Sequence, residues 1–107
     1  MNNEAIKKIA DTYGFSEQSR QLYEEMAELI IATNKAYRLQ KKVCPFFDDV
    51  AMERKNAFNN VIEEIADVTI MLEQIKYLLQ ISDTDIDQII EQKLNRQLER
   101  IENNVEV

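Results

Sequence analysis

Across 107 residues there is one glycine, Gly14, and one proline, Pro45. These residue types do most of the punctuating in a folded chain: glycine supplies positive φ and proline cannot continue a helix. A chain that almost lacks both, and is rich in Glu, Lys, Gln, Leu, Ile and Ala, is committed to long helices joined by few turns. No stretch alternates apolar and polar residues over several positions, so no strand is expected. The fold class is all-α.

The spacing of apolar residues divides the chain into four helical segments. Residues 3–13 carry Ile6, Ile9, Ala10 and Tyr13 on one face, and Gly14 is placed to stop the segment with a left-handed residue. Ser16 is the candidate cap of a second helix from about Glu17 to Gln40, whose stripe is Leu22, Met26, Leu29, Ile30, Thr33 and Tyr37. Lys41–Asp49 reads as the main loop, with Pro45 and two Phe. A third helix starts at Asp48 or Asp49 and reaches as far as Ile81, with Val61, Ile65, Val68, Leu72, Ile75 and Leu79 as its stripe. Ser82-Asp83-Thr84-Asp85 is a cap signal for a fourth helix ending near Asn103. The expected architecture is one domain, residues 1–107, forming a four-helix bundle-like unit. Ile31, Ile70 and Met71 fall away from the main stripes, and a second copy of the chain is their expected cover, giving a homodimer or homotetramer.

A net charge of −7 disfavours nucleic-acid binding, which needs a basic face. Polyphosphates remain accessible to an acidic chain when divalent cations bridge the two sets of charges. Cys44 has no partner for an intrachain disulfide and reads as a small apolar residue in a reducing compartment. The amphipathic N-terminal stretch lacks the apolar core of a signal peptide, and no apolar run has membrane-spanning length, so a cytoplasmic location away from membranes is expected.

The chemistry-bearing feature is a repeated acidic string. Glu24-Glu25-Met26-Ala27-Glu28 and Glu63-Glu64-Ile65-Ala66-Asp67 each place a carboxylate pair at i, i+3: Glu25 with Glu28, and Glu64 with Asp67. Such residues share one helical face, with Cβ atoms about 5–6 Å apart. At about 100° per residue, both pairs lie roughly 60–150° to the same side of their stripes. Antiparallel helices packed through those stripes are related by an approximate two-fold axis, which brings the four carboxylates to one side. Converging carboxylates in a partly buried cleft repel one another and call for a cation. Oxygen-only ligation suits Mg²⁺, with Mn²⁺ as a substitute, and a chain with no His leaves a glutamate to act as base. On the fourth helix, Lys93, Arg96 and Arg100 flank the stripe Ile86, Ile90, Leu94, Leu98 and Ile101, where they suit either the outer phosphates of a triphosphate or surface ion pairs.

QLYEEMAELIIA followed by VIEEIADVTIMLEQI resembles the paired ExxE and ExxD motifs of the MazG-like all-α nucleoside triphosphate pyrophosphohydrolases. The lead-in YGFSEQSRQLYEE and the tail EQKLNRQLERI are similar to segments of the same family, so the likeness touches residues 13–37 and 61–101. It implies cleavage of a nucleoside triphosphate to the monophosphate and pyrophosphate. It also implies Mg²⁺ on Glu25, Glu28, Glu64 and Asp67, with Glu24 or Glu28 taking the proton of the attacking water. The chain departs from the family in three places. The inter-motif gap is lengthened by Lys41–Asn56, Gln21 stands where many members carry a base, and Met71 stands where some carry an aromatic. Two other readings fit the same residues: a non-catalytic acidic helical interaction module, and a superfamily member acting on another nucleotide such as phosphoribosyl-ATP.

Overall fold

Helix formers with so few breaks should give continuous helices, and they do. The structure is a computed structural model that describes residues 1–41 and 49–105. The order is α1 (Asn3–Lys41), α2 (Asp49–Leu78) and α3 (Asp83–Val105), with no strand among the described residues. Most of the expected loop, with Cys44 and Pro45, lies outside the described residues.

The three helical spans contain the four expected segments, because α1 is two helices run together across a break at Gly14. Its φ of 78° and ψ of 170° are non-helical and interrupt the helix, with helical residues on both sides of the kink. Ser16, two residues past the break, makes no capping hydrogen bond among the described residues. The cap of α1 is Asn2, whose Oδ1 accepts from the Ala5 N–H at 3.0 Å.

α1 and α2 pack antiparallel. Asp11 meets Tyr77 at one end, and at the other the Arg54 Nε–H donates to the Leu39 carbonyl at 2.9 Å. The seam between them follows a heptad rule. Gln18, Leu22, Glu25, Leu29, Ala32, Ala36 and Leu39 in α1 are all buried or half-buried, at alternating spacings of four and three. Ala57, Val61, Glu64, Val68, Met71, Ile75 and Leu78 do the same in α2. A sustained 4-3 alternation is the signature of two helices meeting along a narrow stripe.

This seam corrects the expected stripes. Met26, Ile30 and Tyr37 in α1 are exposed, as are Ile65, Leu72 and Leu79 in α2. In α1 these residues form a second apolar strip about 100° around the helix from the seam. A pair of helices covers one strip on each member, and here the covered strip is the one that includes the two glutamates. Met71, expected on an outer flank, is buried in the seam, whereas Ile31 and Ile70 do face outward.

α2 ends in a Schellman-type turn. The Ile81 N–H donates to the Lys76 carbonyl at 3.0 Å, the Gln80 N–H donates to the Tyr77 carbonyl at 3.1 Å, and Gln80 takes a φ of 56°. Ser82 caps α3 as expected, its Oγ accepting from the Asp85 N–H at 3.2 Å. Lys76 ties the corner, bonding Glu73 at 2.8 Å and Asp83 at 2.6 Å. Beyond that corner α3 packs against neither α1 nor α2. The radius of gyration, 18.6 Å, shows the consequence, since a compact chain of this length has about 13 Å.

Candidate metal and nucleotide site

The heptad phase carries the two acidic motifs into the α1–α2 contact. Glu25 and Glu64 occupy seam positions, half-buried and facing each other across the antiparallel pair, while Glu28 sits one turn on at the solvent edge. One carboxylate oxygen from each of Glu25, Glu28 and Glu64 lies within 4.8 Å of the others. The Oε2 atoms of Glu25 and of Glu64 are out of contact with water and have no hydrogen-bond partner. Glu25 Oε1 accepts from the Gln21 amide at 2.7 Å, which fixes its rotamer.

Two buried carboxylate oxygens without donors are a destabilising arrangement, on the order of 1–3 kcal/mol each and more when charged. The donor set answers the question of which group would relieve it. Three carboxylates and no nitrogen or sulfur suit a hard dication. Octahedral Mg²⁺ holds oxygens at about 2.1 Å, so pairs of ligand atoms stand ~3 Å apart when adjacent and ~4.2 Å when opposite. Atoms within 4.8 Å of one another close to that geometry by side-chain movements of up to about 1 Å. The residues fit the ion.

Of the residues singled out by sequence, the structure brings together Glu25, Glu28 and Glu64. Asp67 is exposed one turn from Glu64 and stands outside the group, and Glu24 is exposed and also outside it. Lys93, Arg96 and Arg100 are exposed on α3, which beyond the Lys76–Asp83 corner packs against neither acidic helix, so these three cations stand apart from the carboxylates within one chain.

Sequence reasoning missed two residues beside the site. Gln18 and Gln74 are 5 % and 1 % exposed, and each carries an Oε1 with no partner. They line a cavity of about 420 Å³ together with Ile9, Tyr13, Glu17, Gln21, Ile70 and Met71. Gln21 belongs both to this cavity and, through its bond to Glu25, to the carboxylate group. The signal for Gln18 was present in the sequence: it falls in heptad phase with Leu22, Glu25 and Leu29, a polar residue where the seam calls for an apolar one.

At the far end of the pair, Tyr77 donates to Asp11 at 2.8 Å, and this acceptor holds the phenol pKa above its usual value. The bonds to Asp83 and then Glu73 push Lys76 up to about 12. Both groups serve the corner between helices and stand apart from the acidic cluster. The chain matches no family model, no curated protein and no solved structure. No helix among the described residues is long and apolar enough to cross a membrane.

Proposed function

We propose that this chain is a Mg²⁺-dependent nucleoside triphosphate pyrophosphohydrolase, adding water between the α- and β-phosphates to release a nucleoside monophosphate and pyrophosphate. The observation that carries the reading is the convergence of Glu25, Glu28 and Glu64 from two helices, with orphaned carboxylate oxygens turned inward. The resemblance of both acidic motifs to the MazG-like family supports the choice of reaction. Bound at this group, Mg²⁺ supplies charge neutralisation for a polyphosphate and acidifies water. Gln21 holds Glu25 in place. Asp67, exposed one turn along α2 from Glu64, is the candidate fourth ligand. Glu28, at the solvent edge of the group, is better placed than Glu24 to take the proton from water.

The reading extends to assembly. Because α3 lies free of its own α1 and α2, Lys93, Arg96 and Arg100 serve the outer phosphates only when α3 of a second copy lies along the acidic pair. The unpartnered apolar strip of α3 also favours a second reading, in which the chain is an acidic helical interaction module without catalysis.

One experiment separates the two. Melting temperature with and without Mg²⁺, measured beside pyrophosphate release for the wild type and Glu64→Gln, should show Mg²⁺ stabilising the wild type by mass action. The variant should lose that increment and at least about 100-fold in turnover, equivalent to about 2.7 kcal/mol of transition-state stabilisation. Its melting temperature without Mg²⁺ should hold or rise, because repulsion across the seam falls. A Glu64→Gln protein with wild-type turnover rules out this site, and a wild type indifferent to Mg²⁺ favours the interaction module.

A further inference from the structure

The cavity beside the carboxylates holds the least explained side chains in the molecule. Gln18 and Gln74 are more than nine-tenths buried, and their amide oxygens meet no donor. Leu or Met at either position would fill similar volume without leaving a buried acceptor unsatisfied. No group among the described residues offsets this cost, so the missing donors are sought outside them. The terminal amide torsion of Gln is broad and two-fold, so a half-turn brings either oxygen to the cavity and puts the amide nitrogen in its place.

The rest of the lining restricts the occupant. Ile9, Ile70 and Met71 give apolar and polarizable surface, and Tyr13 gives a ring for stacking. About 420 Å³ lies in the range of small-molecule sites, with few polar groups on an apolar wall. Gln21 joins the cavity to Glu25, four residues and about one 5.4 Å turn along α1, a gap that a ribose bridges.

We propose that this cavity holds the base of a nucleotide and that Gln18 and Gln74 select bases carrying an exocyclic amino group. Two acceptor oxygens ask for more than one N–H. Cytosine, adenine and guanine bring an amino group with two, whereas uracil and thymine offer a single ring N–H at the corresponding edge. The proposal deepens the pyrophosphohydrolase reading and rests on it for the orientation of the nucleotide.

The test uses nucleosides, which lack phosphate, on the full chain without metal. In ¹⁵N NMR spectra, millimolar cytidine or adenosine should shift the side-chain amide signals of Gln18 and Gln74. Uridine should bind about tenfold more weakly, the equivalent of one hydrogen bond. Gln18→Met and Gln74→Met should each reduce affinity for the amino-bearing nucleoside by about tenfold or more and narrow the gap to uridine. Equal responses to cytidine and uridine, or no response to any nucleoside, overturn the proposal. So does a response of these signals to protein concentration alone, which would make the cavity an interface between copies. Mg²⁺ titration of the same sample, followed at the Glu25 and Glu64 backbone amides, keeps the two ideas apart. A metal response without a nucleoside response sinks the base pocket alone, and the reverse sinks the metal site and leaves the pocket standing.

Discussion

The α1–α2 seam and the free face of α3 break opposite rules. The seam places Gln18, Glu25 and Glu64 at heptad positions that packing alone would fill with Leu or Val. α3 leaves Ile89, Ile90, Leu94, Leu98 and Ile101 between 47 % and 59 % exposed, on a helix that beyond the Lys76–Asp83 corner packs against neither α1 nor α2. Polar groups without partners inside ask for a small ligand, because the space beside them is small. Apolar side chains without partners over about three to four turns ask for another helix. The same chain therefore carries two unfilled valences of different size, and each can be tested separately.

The largest expected effect is on assembly. Leu94→Glu with Leu98→Glu places charge in the middle of the α3 strip and should convert a dimer or larger species to monomer by light scattering. Helix content should barely change, since both residues suit a helix. A wild type that is monomeric at micromolar concentration breaks the comparison at once. Next comes the seam. Glu25→Leu with Glu64→Leu replaces opposed carboxylates by packed hydrocarbon and should stabilise the metal-free protein by about 1–4 kcal/mol in urea unfolding, while removing Mg²⁺ stabilisation entirely. A loss of stability instead would show that the glutamates hold the helices together unaided.

Much of this organisation is legible in the sequence. Near-absence of Gly and Pro dictates helices, Ser82 marks the start of α3, and the spacing of Glu25, Glu28 and Glu64 points to one shared face. The phase of the seam is not legible by ranking hydrophobicity, because α1 has two adjacent apolar strips and the outer one, with Met26, Ile30 and Tyr37, is the greasier. Which strip pairs within the chain depends on how many other helices arrive to cover the second, and no local pattern records that. The isolation of α3 was hidden for the same reason: an amphipathic helix reads alike whether its cover comes from its own chain or from another.

Two smaller effects probe the corner that sets α3 apart. Gln80 holds a left-handed conformation without being glycine, so Gln80→Gly should gain about 1 kcal/mol and raise the melting temperature by several degrees. No gain would place the strain elsewhere. The smallest concerns Lys76. Its pKa is raised from 10.5 to about 12, so its contribution is fully present below 10.5 and is lost as pH rises through 12. The difference in melting temperature between wild type and Lys76→Met should stay constant from neutral pH to about 10 and shrink above it. A difference that shrinks before pH 10 would assign the corner to another group.

The bend at Gly14 has a mechanical consequence for the cavity. Ile9 and Tyr13 stand on one side of it and Glu17, Gln18 and Gln21 on the other, so one wall is carried by two rods joined at a single residue. A Cβ at that joint would meet no atom within 4 Å, so what reserves the position for glycine is torsion and not room. With 1.5 Å of rise per residue, a 10° swing about the joint carries Ile9 by about 1 Å and Asn3 by about 3 Å. The Asp11–Tyr77 bond anchors the short rod between Ile9 and the joint. The width of the cavity thus depends on the torsion at one residue, Gly14, and on one tether, the Asp11–Tyr77 bond.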